Sequence, residues 1–304
     1  MSRLSDILES KDIYINGNYM VICKGDGGRE KRTLLHSDTT FRSEFPDSID
    51  LKITNQCNIG CPFCHENSVP TGKWFDIDKT ERMLSCLPKV PIEIAIGGGD
   101  IITNLSLFNS FAGWCEKWGF DIRVTVSAKS MFSKDFLRRY NSTGMGISIQ
   151  NLKDLDSVID RNTFYLGGLT VYHIIVGVFP YDQLEELFKR VNRVLILGFK
   201  QFGRASGAKP KDLEEWRRIV KSEMYKGYRK VTIAFDNLAL EQLQIKDAML
   251  QGEWNRTYWG HEFSSSMYID AVEETFAPTS TSKDRVKWSD ISLLDYFKKY
   301  HHEF

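Results

Sequence analysis

The chain has 304 residues, and 40 Lys and Arg balance 40 Asp and Glu. Zero net charge argues against a protein that coats nucleic acid by bulk electrostatics, though a local basic groove stays open. Apolar residues make up 42%, with 22 Gly and 8 Pro, which allows a sizeable core and excludes collagen-like and low-complexity classes. The most apolar run, Val171–Phe179, is far shorter than the ~20 residues of a spanning helix, so no membrane partner is expected. The opening Met1–Asp6 lacks the basic-then-apolar order of a signal peptide, and a soluble cytoplasmic protein is the expectation.

In chain order, Tyr14-Ile15 and Tyr19–Ile22 flank Asn16-Gly17-Asn18 and read as a β-hairpin, followed by a Gly-rich turn at Gly25–Gly28. Strands are predicted at Ile49–Thr54, Ile92–Gly97, Ile122–Ser127, Gly146–Gln150, Thr170–Val178, Val194–Lys200 and Val231–Asp236. Most are continuous Val/Ile-rich runs, as in strands of a parallel sheet buried on both faces. Amphipathic stretches lie between them at Asp78–Leu87, Leu105–Trp118, Ser133–Tyr140, Asp182–Val191 and Lys211–Tyr225. Strand alternating with helix is the pattern of right-handed βαβ crossovers. The fold class read from it is α/β, either a doubly wound sheet or a (β/α) barrel. A partial (β/α)6 TIM-like barrel is preferred, with the strand number, six or eight, left open. Residues 1–47 form an N-terminal hairpin extension, 48–236 the (β/α) core, and 237–304 a C-terminal extension capping the barrel. That extension holds a strand candidate at Met267–Asp270, a polar tract at Pro278–Ser282, an amphipathic tail and a solvated His301-His302.

Six cysteines are ordinary for a reduced compartment. Cys23, Cys86 and Cys115 are scattered and read as buried small hydrophobes. Cys57, Cys61 and Cys64 form a C-x3-C-x2-C run directly after the first core strand. Three thiolates so close in sequence can converge on one soft centre, either zinc or an iron–sulfur cluster. No second Cys pair follows at zinc-ribbon spacing, and zinc in structural sites prefers four protein ligands. A cubane cluster on three cysteines would leave one iron open to a small molecule.

The Cys57-Asn58-Ile59-Gly60-Cys61-Pro62-Phe63-Cys64 segment resembles the motif of the radical S-adenosylmethionine (radical SAM) superfamily. The resemblance covers about residues 48–236. Gly97-Gly98-Gly99-Asp100, at the end of the second core strand, looks like the family's Gly-Gly-Glu-Pro segment, with Asp100 for Glu and Ile101 for Pro. The resemblance implies that backbone here meets the amino group of SAM's methionine moiety, as missing Cβ atoms permit. Ser127-Ala128-Lys129 occupies the family's polar turn, and Ser148-Ile149-Gln150 looks like its Ser-hydrophobic-Asp. By that likeness Ser127 and Ser148 bond SAM's carboxylate or ribose, Gln150 faces ribose or substrate, and Phe63 lies by the adenine. Val176-Gly177-Val178 would also pack on adenine. Lys200 and Arg204 would suit an anionic group of SAM or substrate, with a solvated loop as the rival reading. Asp236 is a substrate contact or a helix N-cap. Tyr268 and Asp270 are rim candidates, with core or surface placement as the rival reading. No Cys follows Cys115, which excludes a Cys-ligated auxiliary cluster in residues 116–304.

The implied cofactors are a 4Fe-4S cluster and SAM. The implied activity, an oxidoreductase or transferase chemistry, is reductive cleavage of SAM to a 5′-deoxyadenosyl radical that takes hydrogen from a substrate. A peptide or protein side chain is the preferred substrate, and a nucleotide or nucleoside the alternative. The electron donor would be a flavodoxin or ferredoxin. The N-terminal hairpin and the C-terminal segment are expected to cap the barrel and choose the substrate. Competing readings are a non-catalytic zinc or iron–sulfur module and an electron-transfer protein.

Overall fold

The computed structural model describes residues 13–24, 28–35, 40–130, 133–140, 144–162, 169–226, 231–258, 260 and 263–301. Residues 25–27 of the predicted Gly25–Gly28 turn and the tail residue His302 lie outside them. In chain order the strands are β1 (Ile13–Asn16), β2 (Tyr19–Cys23), β3 (Arg29–Thr33), β4 (Ser48–Thr54), β5 (Glu93–Gly98), β6 (Asp121–Ser127), β7 (Met145–Ser148), β8 (Val171–Ile175), β9 (Arg193–Leu197), β10 (Thr232–Phe235), β11 (Ser266–Asp270), β12 (Thr275–Ala277) and β13 (Val286–Lys287). The helices are α1 (Ile77–Leu84), α2 (Leu105–Trp118), α3 (Lys134–Tyr140), α4 (Leu152–Asn162), α5 (Leu184–Arg190), α6 (Leu213–Tyr225), α7 (Asn237–Gln242), α8 (Gln251–Thr257) and α9 (Leu293–Tyr300).

The chain divides into two compact units. The first is Met1–Asn58, Ser68–Val124 and Gly260–Phe304; the second is Ile59–Asn67 and Thr125–Trp259. The boundary falls within β6.

In the first unit, strands run in the order β6-β5-β4-β11-β12-β13, and the run does not close on itself. β5 and β6 are parallel, as are β4 and β5, and β11 lies parallel to β4. β12 and β13 add antiparallel edges. The buried faces of β4 (Ile49, Leu51, Ile53) and β5 (Ile94, Ile96) supply the core. α2 buries Phe108, Phe111, Ala112 and Cys115, the 3-and-4 spacing of one helical stripe. Asn104 caps its start, and Gly119 ends it at φ +98°. Cys115 is a core residue as expected; Cys23 is half-buried, and Cys86 is exposed just past α1, a correction to its reading as core.

The predicted hairpin is present: Asn16 pairs with Tyr19 across Gly17, which takes φ +59°. β3 extends it to a three-stranded antiparallel sheet. Its contacts lie at the strand ends opposite those where a cap over the cofactor loops was expected. The Asp47 carboxylate, just before β4, receives Tyr14 Oη (3.2 Å), Asn16 Nδ2 (2.7 Å), Tyr19 Oη (2.6 Å) and Lys31 Nζ (2.8 Å). Arg29, 8% exposed, reaches the Pro91 carbonyl at 2.7 Å, Asp121 at 3.0 Å and Glu93 at 3.4 Å. Glu93 and Asp121 are the first residues of β5 and β6, so the small sheet is fastened to the strands' N-terminal ends. In (β/α) folds the chemistry lies at the opposite, C-terminal ends.

Tyr268 and Asp270 are both 3% exposed, on β11. Asp270 pairs with Lys52 of β4 at 3.0 Å, and its other oxygen accepts the N–H groups of Val272 and Glu273. Arg285 lies over the Tyr268 ring, 5.0 Å from its centroid. Both are thus buried, the core placement of the two readings.

In the second unit, β7-β8-β9-β10 form an all-parallel run that ends at β10 without closing. Its strands alternate with α4, α5 and α6, and Trp216, Ile219 and Val220 of α6 are buried. Among the described residues no helix is long and apolar enough to cross a membrane.

Two strand ends differ from expectation. β8 stops at Ile175, where Val178 and Phe179 N–H both turn back to the Ile175 carbonyl and Gly177 takes φ +72°. Val176-Gly177-Val178 is therefore a turn, with Val176 fully buried, and does not continue a strand against adenine. β7 stops at Ser148 because Asn151 and Asp154 cap α4: Asn151 Oδ1 accepts Asp154 N–H at 3.0 Å, and Asp154 Oδ2 accepts Gln150 N–H at 2.8 Å.

Candidate cofactor-binding loops

In the first unit, β4 ends at Thr54 and leads through Asn55 and Gln56 to Cys57, whose N–H bonds the Val69 carbonyl at 2.9 Å. The Gly97–Asp100 turn at the end of β5 is welded to this segment. Gly99 N–H donates to the Thr54 carbonyl at 2.7 Å, and Asp100 N–H to the Gln56 carbonyl at 2.8 Å. A Cβ on Gly98 would sit 2.3 Å from Thr54 O, and one on Gly99 2.2 Å from Gln56 O; a Cβ on Gly97 would meet nothing within 4 Å. Two of the three glycines thus admit the chain's own backbone, and Gly97 alone has open space above it. Gly98 also takes φ +110°, where a side chain is strained. Asp100 caps the 3-10 turn Ile101–Asn104, its Oδ1 accepting Ile102 N–H at 3.2 Å.

Thr54 and Gln56 were not singled out from sequence. Thr54 Oγ1 donates to the Lys73 carbonyl at 2.8 Å, and Gln56 Oε1 accepts Trp74 Nε1 at 2.9 Å. Their signal was position: they are the last polar residues between an apolar strand and the first cysteine.

In the second unit, Cys61-Pro62-Phe63-Cys64 forms a turn closed by Cys64 N–H to the Cys61 carbonyl at 3.2 Å, with Phe63 half-exposed at its tip. Arg204 holds this turn from the loop after β9: its Nε donates to Cys61 O at 2.8 Å and its N–H to Cys64 O at 3.0 Å. Gly203, at φ +56°, packs so closely that a Cβ would be 2.5 Å from His65 O and 2.6 Å from Cys64 O. Arg204 is therefore neither a solvated-loop residue nor turned wholly to an anion. Lys200 lies half-buried in the same loop.

Gln150 Nε2 lies 3.4 Å from Cys61 Sγ, and Lys129 Nζ donates to Gln150 Oε1 at 2.7 Å. Ser127 Oγ accepts Lys129 N–H at 3.2 Å, and Ser148 O accepts Ala128 N–H at 2.9 Å, joining the two polar strand ends. Asp236 is an N-cap: Oδ1 accepts Ala239 N–H at 2.7 Å and Gly198 N–H at 2.9 Å.

Cys57, Cys61 and Cys64 are each half-buried, and none is in a disulfide. Among the described residues, no three Cys, His, Asp or Glu side chains are grouped as a ready site for a metal ion.

No family model and no curated protein sequence matches the chain. Among solved structures it is similar to Streptococcus suis SuiB bound to S-adenosylmethionine, with 16% identity and a TM-score of 0.63, covering 84% of this chain. It spans 66% of the SuiB chain, just under two thirds. SuiB bound to precursor peptide SuiA matches with a TM-score of 0.61, 16% identity, and coverage of 84% of this chain and 65% of that one. anSMEcpe with bound AdoMet and Cp18Cys peptide matches with a TM-score of 0.57 and 10% identity, over 83% of this chain and 80% of that one. The likeness is one of fold: the chain shares the α/β fold of these proteins, with a mostly parallel, unclosed sheet.

Proposed function

We propose that this protein is a radical SAM enzyme in which Cys57, Cys61 and Cys64 hold a 4Fe-4S cluster and a peptide or protein side chain is the substrate. The bond between Asp100 N–H and the Gln56 carbonyl carries the reading, because it joins two motifs far apart in sequence. Both resemble radical SAM motifs, and the fold that unites them is shared with proteins solved bound to SAM.

The donor set fits the cluster: three thiols, none in a disulfide, on turns with no regular structure of their own. When bound, the cluster supplies the electron that splits SAM into methionine and a 5′-deoxyadenosyl radical, which takes a hydrogen atom from the substrate. The chain's residues position and shield. Arg204 and Gly203 fix the Cys61–Cys64 turn, and the Gly97–Gly99 turn fixes the segment that carries Cys57. The open face of Gly97 lets the methionine moiety of SAM reach the backbone. Ser127, Ser148 and Phe63 would serve its carboxylate, ribose and adenine. A peptide is preferred because SuiB was solved with a precursor peptide and anSMEcpe with Cp18Cys peptide. A flavodoxin or ferredoxin would deliver the electron.

Anaerobic reconstitution tests the reading. Near four iron and four sulfide per chain, an EPR signal that changes on adding SAM, and 5′-deoxyadenosine under dithionite are expected. Bound zinc, or a cluster whose signal ignores SAM, would sink it. Mass spectrometry of peptide and nucleoside pools incubated with enzyme, with and without reductant, decides the substrate class.

A further inference from the structure

Resting on the cluster reading above, we propose that Gln150 and Lys129 set the cluster's reduction potential through the sulfur of Cys61, rather than serving the ribose of SAM. A glutamine amide has one donor end and one acceptor end. Lys129 Nζ occupies the acceptor, Oε1, at 2.7 Å, which leaves Nε2 turned to Cys61 Sγ at 3.4 Å. The sulfur is a thiol in this structure and stands for the thiolate that would bind iron.

Each member of the relay is held by the main chain. Gln150 N–H bonds Asp154 Oδ2 at 2.8 Å, and Ile149 N–H bonds the His173 carbonyl at 3.0 Å. Lys129 N–H bonds Ser127 Oγ at 3.2 Å, and Ala128 N–H bonds the Ser148 carbonyl at 2.9 Å. Cys61 is fixed from the other side by Arg204 Nε on its carbonyl at 2.8 Å. The donor is thus aimed before any cluster arrives.

Reduction adds negative charge that spreads onto the ligand sulfurs. An N–H donor on a sulfur, backed by a lysine cation, stabilises the reduced form more than the oxidised one, so the potential rises. Where the resembling motif carries Asp, this chain carries Gln150. A carboxylate there would only accept, and its charge would oppose reduction. The substitution that weakens the resemblance is therefore the one that supplies the donor. Lys129 acts through Gln150 and is a positioning residue.

The test is the midpoint potential of the reconstituted cluster, by EPR-monitored redox titration without SAM, with iron and sulfide counted in each sample. Gln150→Leu should shift the potential negative, and Gln150→Glu further negative. Lys129→Met should shift it negative by less, and should add nothing on a Gln150→Leu background, because the relay is then already broken. Gln150→Asn keeps an amide too short to reach the sulfur and should behave like Leu; it decides the matter if the Leu variant fails to load. Unchanged potentials in fully loaded variants would overturn the proposal while SAM cleavage upheld the enzyme reading. A wild-type chain that takes up no 4Fe-4S cluster would end both.

Discussion

Gly99 and Gln56 lie so close that a Cβ on the glycine would be 2.2 Å from the Gln56 carbonyl oxygen, and the next residue, Asp100, donates its N–H to that same oxygen. The glycine turn is thus part of the support for the first cysteine, Cys57, one residue beyond Gln56.

Gly99→Ala should destabilise the chain by about 1–3 kcal/mol, the cost of overpacking a site where the obstacle is backbone and cannot swing away. Gly97→Ala should leave the melting temperature within error, since its Cβ meets nothing within 4 Å. If that open face receives SAM, Gly97→Ala should weaken SAM binding instead. Thermal melts and SAM titration of the two variants separate support from ligand contact. Equal melts for both would contradict the packing argument.

Arg204→Met should loosen the cluster-bearing turn. A charged hydrogen bond such as Arg204 Nε to Cys61 O contributes about 1.5–3 kcal/mol, enough for roughly tenfold faster loss of iron to a chelator. Arg204→Lys should not rescue it, because an ammonium cannot reproduce the planar N–H geometry. Gly203→Ala should act the same way, by pushing on the carbonyls of Cys64 and His65. Iron release from reconstituted protein, followed by absorbance, measures both. Wild-type rates in Arg204→Met would show that the turn is held by something else.

Arg29→Met should separate stability from chemistry. Its partners Glu93 and Asp121 keep Arg123, so the loss should stay near or below about 3 kcal/mol. The small sheet is fastened at the N-terminal strand ends, so 5′-deoxyadenosine formation under dithionite should match wild type at a temperature where both are folded. A large loss of SAM cleavage in folded Arg29→Met would return the small sheet to the working end.

What could be read from the sequence followed from where the governing partners lie. The cysteine motif, the glycine run and most of the βα alternation are local and fall where expected, while the helix α4 between β7 and β8 was not predicted. The reason for Gly98 and Gly99 was not local: they face Thr54 and Gln56, which only the β4–β5 pairing brings near. β3 escaped because Arg29-Glu30-Lys31-Arg32-Thr33 has no apolar alternation; its lysine and first arginine are buried by Asp47, Glu93 and Asp121 from other segments. The end of β8 escaped because a continuous apolar run hid a turn marked only by Gly177. The start of α4 was legible in principle from Asn151 and Asp154 at capping spacing. Arg204 stood between two readings because its partner carbonyls lie in the cysteine turn, far back in the chain.

His173 gives the last prediction. Its imidazole lies across Gly146, where a Cβ would come 2.5 Å from the ring, and burial lowers its pKa from 6.5 to about 4. Between those values the unfolded chain binds a proton that the folded chain refuses. Stability from the neutral ring is therefore complete above about pH 6.5 and is lost as pH falls through 6.5 toward 4. The window corresponds to about 3.5 kcal/mol at most, at roughly 1.4 kcal/mol per pH unit. Urea unfolding at pH 7 and at pH 4.5 should show a fall in stability for wild type. His173→Gln, which cannot titrate, should show a fall smaller by most of that amount, because the carboxylates that also titrate there are common to both proteins. Parallel curves for the two would mean that the imidazole takes up its proton in the folded state as readily as in the unfolded one, and that the ring is open to water above Gly146.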